Sequence, residues 1–428
     1  MRGEAEYKAD SAAGGLGARS CRGAVGGRLA AVVLAALALA GVAGAAPSGD
    51  PGVSSSSILI GGTVPLSGPE TAYAVVAYGA AAYFKYVNDH GGVYGRKIDY
   101  RYLDDAYDPS QTVQQTRRLV EQDKVFLMFN QVGTEQTLAT QPYLNQQKVP
   151  QLFAGSGTEQ FARNYKQYPW TLPYLPSFYA EGQVYGRYLA RTRPGAKIAV
   201  LFEDSDFGKD LLAGLKSGLA GKCKILGAQS YAVTEPTLSS QMSTLAATKA
   251  DTLMVFALPK QTIQALVGAD KLGWHPRPFI AAVSIDPFVM SVARLNTNGR
   301  ATEGAMSITF LKDASNLAHW GKDPGVKLYY SILKKYAPGN DPKAVANIYG
   351  MAAAYTLVDV LKRAGRSPTR ASVLRAATSL SETTNPFMLP ALTLKTSPTD
   401  RFAIEQVQMY RYSKGSWQVV GPIVPARA

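Results

Sequence analysis

From residue 57 onward, apolar runs alternate with amphipathic stretches. ILIGGTVPL (58–66), KIDYRYLD (97–104), KVFLMFN (124–130) and VPQLFAG (149–155) read as strands, each followed by a helix-like segment or a return loop. The series resumes with KIAVLFED (197–204), KILGAQSYAV (224–233), DTLMVFAL (251–258) and PFIAAV (278–283). Strands alternating with helices in this way make a parallel sheet covered by helices. PWTLPYLP (169–176) separates the two series, and a second lobe of the same architecture is the economical reading. The helices can be checked by spacing. Ala80, Ala81, Phe84 and Val87 fall on one face and Gly91 and Gly92 close the segment. After KIAVLFED, Leu211, Leu212, Leu215 and Leu219 form a stripe, with Asp204, Ser205 and Asp206 as candidate N-caps.

The N-terminus has a different pattern. Arg19, Arg22 and Arg28 precede the unbroken apolar run LAAVVLAALALA (29–40), and small residues continue through Ala46. This order of regions predicts a secretory signal peptide over residues 1–46, cleaved after Ala45 or Ala46. As a helix the run rises only about 18 Å, short of the roughly 30 Å hydrocarbon core, so a permanent anchor is disfavoured. Cys21 precedes the apolar run, where it cannot serve as a lipoprotein acylation site, and Cys223 alone remains in the mature chain, which rules out an internal disulfide. About 380 mature residues exceed the usual single core and imply two domains.

Charge changes the picture little. The chain carries a formal +14, and removal of residues 1–46 leaves 40 basic and 28 acidic side chains. Export and the dispersal of the basic residues argue against a nucleic-acid partner. No HExxH, P-loop, GxSxG or GxGxxG signature is present. His90, His275 and His319 are far apart, and Asp104, Asp105 and Asp108 precede Pro109, where turn and cap roles are usual. Neither catalysis nor a metal or cofactor is expected.

The sequence does place glycines and hydroxyl residues at strand ends. In open α/β sheets a ligand sits beyond the carboxyl ends of the strands, where helix N-termini present free N–H groups. NQVGTEQT (130–137) and AGSGTEQF (154–161) fit that position, although Ser156 and Glu159 also have the spacing of a capping box.

Three segments together carry a resemblance. VPLSGPETAYAVVAYGAAAYFKYVNDHGGVYGRKIDYRYLDDAYDPSQT (64–112) resembles the opening of the branched-chain amino acid binding proteins, the type I periplasmic binding proteins of ABC importers. KIAVLFEDSDFGKDLLAGLKSGL (197–219) resembles the start of their second lobe, and NIYGMAAAYTLVDVLKRAG (347–365) their late helix. The resemblance implies an α/β fold of two Rossmann-like lobes with parallel sheets, joined by three hinge crossovers that close on a small ligand. The lobes would comprise residues 57–172 with 309–388, and 173–308 with 389–428. It further implies a monomeric shuttle in the periplasm that serves an inner-membrane ABC permease. The same fold resembles the ligand domains of sensors, which would need a signalling segment or partner.

Carried over residue by residue, the ligand carboxylate would meet Thr134 and Ser156 or Thr158, with the N–H groups of Gly133 and Gly157 nearby. Tyr73 and Tyr179 would supply aromatic walls. Amino-acid binders of the family place an acid after the strand that here reads PFIAAVSIDP, and Val283 falls near that place; Ser284 and Asp286 are the polar neighbours, with Asp286 a possible substitute. The family's tyrosine after DTLMVFAL is replaced by Leu258, Pro259 and Lys260. A buried ammonium without a partner costs several kcal/mol, so these departures lead us to expect a carboxylate, amide or aromatic acid rather than leucine, isoleucine or valine.

Overall fold

A computed structural model describes residues 49–427; the expected signal peptide lies outside them. The first sheet comprises β1 (Ser57–Val64), β2 (Lys97–Asp104), β3 (Leu127–Phe129), β4 (Gln151–Ala154) and β5 (Thr171–Pro173). Its order is β2-β1-β3-β4-β5, with every pairing parallel. The second sheet comprises β6 (Lys197–Glu203), β7 (Lys224–Tyr231), β8 (Thr252–Phe256), β9 (Arg277–Ile280) and β10 (Met306–Thr309). After a two-stranded hairpin of β11 (Ser381–Glu382) and β12 (Leu394–Lys395), β13 (Gln406–Ser413) joins this sheet antiparallel to β10, and β14 (Ser416–Pro425) pairs antiparallel with β13 at the edge.

The parallel part of the second sheet, β7-β6-β8-β9-β10, repeats the order of the first. The repeat follows from the sequence: central strands such as LFA of β4 and TLMVF of β8 are buried throughout, as sheets covered on both faces require. In this order the connections run to opposite faces on either side of β1 and β3, and of β6 and β8. The crevice beyond those strand ends is where such sheets take ligands.

The first lobe's core gathers the helix Ala74–Asp89, in which Ala80, Phe84 and Val87 are buried, and the helix Val345–Arg363. Gly79 allows this pairing, because a Cβ there would lie 2.2 Å from the Asn347 carbonyl oxygen. The second lobe pairs the helices Phe178–Thr192 and Asp206–Leu219 at comparable closeness; a Cβ on Gly214 would stand 1.9 Å from the Tyr179 carbonyl oxygen.

The chain passes between the sheets after β5, after β10 and before β13. The last passage differs from the expected boundary at 388/389. Leu389, Leu392, Leu394, Ala403 and Ile404 pack in the first lobe's core, and the second lobe resumes only at Gln406. Thr396 fixes this detour, its hydroxyl donating to the Ala377 carbonyl at 2.7 Å and accepting from the Leu380 N–H at 2.9 Å.

Candidate functional site

A cavity of about 440 Å³ lies between the lobes, beyond the carboxyl ends of both parallel sheets. From the first lobe it is reached by the turn after β1 through Tyr73, Val75 and Val76, and by the β3 turn through Val132, Gly133 and Thr134. From the second lobe come Phe178, Glu181 and Phe207, then Leu258 after β8 and Val283, Ile285 and Asp286 after β9. Ile308, Phe310 and Leu311 line the second passage between lobes, and Phe288, 65% exposed, marks the open side. The walls are mostly apolar and aromatic. Glu181, Asp286 and Asp341 are the acids among the lining residues, and no Lys, Arg or His is among them.

The most polar feature of the first lobe's wall is a helix end. Gly133 is the N-cap of the helix Thr134–Gln146 and holds φ 109°, a backbone conformation that favours glycine. A Cβ there would also stand 2.1 Å from Gln136 Oε1 and 3.0 Å from Tyr107 Cε2. The first N–H groups of a helix have no partner within it, and Thr134 presents this end to the cavity. The Thr134 and Ser156 hydroxyls are 2.8 Å apart, with Ser156 fully buried behind Thr134.

The second sequence-predicted loop reaches the cavity only through Gly155; Ser156, Gly157 and Thr158 do not line it. Thr158 Oγ1 donates to Asp210 at 2.9 Å, and Asp210 also accepts from the Glu159 N–H. A Cβ on Gly157 would lie 2.1 Å from the Pro176 carbonyl oxygen, so this glycine lets the loop pack on the first passage between lobes. The capping box expected of Ser156 and Glu159 is not formed: Glu159 itself is the N-cap of the short helix Gln160–Arg163, without a side-chain cap, and its carboxylate bonds Ser177 and Arg427. Ser156, Gly157 and Thr158 therefore support the site from behind.

Tyr73 lines the cavity, and its hydroxyl donates across the cleft to the Val283 carbonyl at 3.1 Å. Its ring lies 6.5 Å from that of Tyr107, a cavity residue absent from the expected set, and both rings pack against the cores of both lobes. Tyr107 holds φ 60°, rare for a bulky side chain and of the kind that gathers at functional sites. Tyr179 is not among the lining residues. Positions three apart share a helix face, so the turn that brings Phe178 and Glu181 to the cavity carries Tyr179 away.

The polar group nearest the expected acidic position is also reassigned. Ser284 is buried and donates to the Ala257 carbonyl at 2.7 Å, outside the cavity lining. Asp286 lines the cavity, but both its oxygens are engaged. Oδ1 accepts the Phe288 N–H at 2.9 Å, capping its own helix, and Oδ2 accepts the Val345 N–H at 2.9 Å, capping a helix of the opposite lobe. Asp286 is thus a clasp between lobes.

Sequence reasoning missed Glu181. It is 2% exposed, and Oε1 accepts the Ala282 N–H at 2.8 Å and the Tyr185 hydroxyl at 2.7 Å. Burial raises its pKa to about 7 in spite of those two donors. Its only advance signal, an acid in the first helical turn, is shared by many ordinary helices.

A second acidic pair sits beside the cavity, where the two topological switch points meet. Glu70, in the turn after β1, is fully buried, and among the described residues neither oxygen has a hydrogen-bond partner. Burial, then the neighbouring Glu203, raises its pKa to about 8, with Lys260 and Gln261 opposing. Glu203 ends β6, is raised to about 7 by burial, and accepts from the Tyr231 hydroxyl at 3.3 Å.

The acidic turn Asp104–Asp108 behaves as its sequence predicts. Asp104 accepts the N–H groups of Leu66, Ser67 and Ala106, Asp105 that of Tyr107, and Asp108 caps the next helix through Gln111. Among the described residues no group of His, Cys, Asp and Glu could hold a metal ion.

Two parallel-sheet lobes enclosing a ligand-sized cleft at their switch points define a solute-binding architecture. The periplasmic binding protein profile matches residues 57–416, and the chain belongs to that family. Leu/Ile/Val-binding protein homolog 1 of Brucella abortus is 28% identical over 173 residues, 40% of this chain and 46% of the relative, so the match spans about half the relative's length. A branched-chain amino acid ABC transporter structure from Thermus thermophilus with bound valine superposes with TM-score 0.75 at 18% identity, covering 86% of this chain and 96% of that one. A solute-binding protein of an ABC transporter from Rhodopseudomonas palustris BisB5, in complex with 3,4-dihydroxy benzoic acid, gives TM-score 0.71 at 20% identity, covering 87% and 98%.

Proposed function

We propose that this protein captures a small carboxylate with an apolar or aromatic body in the interlobe cleft and delivers it, outside the cytoplasm, to the membrane permease of an ABC importer. The observation that carries the reading is the end of the helix Thr134–Gln146, which brings unpaired N–H groups and the Thr134 hydroxyl to a cavity whose walls are mostly apolar and aromatic and hold no Lys, Arg or His among the described residues. A carboxylate there meets N–H donors and the positive end of the helix dipole, while its body displaces water from Phe178, Phe207 and Phe310. Valine and 3,4-dihydroxybenzoic acid, the ligands of the two structural neighbours, both carry such a carboxylate. Tyr73 and Asp286, each bonded across the cleft, give closure a physical basis: a ligand that adds contacts to both walls favours the closed arrangement. The charged, apolar and small-residue order of the first 46 residues supports export, and the periplasm is the location assigned in this reading.

The test is a thermal-shift screen of the mature chain with carboxylates and their uncharged primary amides. Carboxylates should raise the melting temperature and their amides should do so far less. Equal stabilisation by acid and amide in every case would remove the anion-binding role of the Thr134 helix end.

A further inference from the structure

Glu181 is held in place and left half used. Its Oε1 is fixed by the Ala282 N–H and the Tyr185 hydroxyl. Among the described residues no hydrogen bond reaches its Oε2, and this oxygen is not among the fully buried unpartnered atoms, so it is open to the cavity that Glu181 lines. The residue whose N–H it holds, Ala282, directly precedes Val283, near which the family's acid was expected. The carboxylate missing from the β9 turn is therefore supplied to the same corner by a different element, the helix Phe178–Thr192. Asp286 is the weaker candidate, because each of its oxygens already caps a helix whereas Glu181 Oε2 carries no such bond.

Charge balance identifies what Glu181 would receive. Among the described residues three acids and no basic side chain line the cavity, and the donor-rich pole they leave is the helix end at Thr134. A ligand carrying only a carboxylate would answer that pole and add negative charge facing Glu181. A ligand that also carries an ammonium would answer both, and its dipole would enter the apolar cleft without net charge. On the reading of the cleft given above, we propose that Glu181 is the specificity-determining residue of this site and receives the ammonium of an amino carboxylate with an apolar or aromatic body. This reverses the expectation drawn from Val283, that loss of the β9 acid excludes amino acids.

The experiment uses matched acids that differ only in the α-ammonium: L-phenylalanine with 3-phenylpropanoate, L-leucine with 4-methylpentanoate, and L-valine with 3-methylbutanoate. Affinities of the mature protein for each are measured by titration calorimetry, in the wild type and in Glu181→Gln. In at least one pair the ammonium-bearing member should bind the wild type at least tenfold more tightly, and Glu181→Gln should reduce that ratio at least tenfold while leaving the deaminated acid within about threefold. Tyr185→Phe, which removes a donor to Oε1 and the same hydroxyl's contacts with Ile280 and Ser307 but leaves Oε2 untouched, should keep the preference. If deaminated acids bind as well as or better than their partners in every pair, the role of Glu181 is refuted and carboxylate capture survives. A Glu181→Gln loss that is equal for both members also refutes it, since it would mark Glu181 as a support for the Ala282 turn. If no acid of either kind binds, the carboxylate reading falls together with this one.

Discussion

In each lobe the third strand of the same 2-1-3-4-5 order leads into a helix that begins at the cleft, and the two beginnings are chemically opposite. After β3 the helix starts behind Gly133, its first N–H groups unpaired and Thr134 on the cavity. After β8 the corresponding helix starts with Pro259, which has no N–H, and the Leu258 N–H is already taken by the Tyr231 hydroxyl at 3.1 Å. The N-cap N–H is bonded in both lobes, that of Gly133 to the Gly155 carbonyl, so the difference lies one residue on: the first wall offers the Thr134 N–H where the second has the donorless nitrogen of Pro259. The second wall instead brings apolar side chains and the carboxylate of Glu181. A duplicated topology fixes where a cleft forms, while a few residues at each helix start decide what enters it.

The contrast can be broken most severely at its glycine. Gly133→Val puts a β-branched residue at φ 109° against Gln136 and Tyr107, so it should misplace the Thr134 helix end. We expect carboxylate binding to be lost by titration, with roughly 1–3 kcal/mol of destabilisation in urea unfolding. Asp286→Ala removes the shared cap from Phe288 and Val345 and should cost about 2 kcal/mol, read from the urea midpoint.

The acidic pair at the switch points makes the contact between lobes depend on pH. Glu70 and Glu203 belong to opposite lobes, and Tyr73, Tyr107, Glu135, Ser205, Tyr231, Lys260 and Gln261 are the groups around them. Their closed-state pKa values, about 8 and about 7, exceed the ordinary 4.5 of an exposed glutamate. Closure therefore takes up protons. Where opening exposes both glutamates to water and returns them toward 4.5, this stabilisation is complete below about pH 4.5 and is lost as pH rises through 7 to 8. Small-angle scattering of the unliganded protein should show a radius of gyration that grows between pH 5 and 9, and Glu70→Gln should flatten that rise. The smallest effect is expected of Tyr73→Phe, which deletes only the bond to the Val283 carbonyl and should cost at most about 1 kcal/mol of closed-state stability, seen as a weakening of ligand binding of no more than about fivefold.

The parts legible in the sequence share a local signal. The strands that alternate with helices, the glycine-led β3 turn and the capping aspartates at 104–108 are fixed by neighbours a few residues away, so their periodicity and turn chemistry could be read directly. What escaped reading depends on distant partners. Glu181 matters because the β9 turn, a hundred residues on, presents Ala282 to it. Asp286 looked like a free acid until its second oxygen met Val345 of the other lobe. Tyr179 was misassigned because a rotation of one residue on a helix decides which side chain faces the cavity, and the packing of Gly214 on the Tyr179 backbone sets that rotation. The late return to the second lobe was hidden because residues 389–404 carry a core pattern that either lobe could have used; Thr396 and the Leu394 strand commit it to the first.

The most direct test of the cleft's polarity is a crystal structure of the mature protein bound to the acid that gives the largest thermal shift. The expected result places the ligand carboxylate within hydrogen-bond reach of the Thr134 N–H and hydroxyl, with the body between Tyr73 and Phe207. A carboxylate seated at the start of the helix Pro259–Lys271, or a ligand bound outside the interlobe cavity, would contradict it.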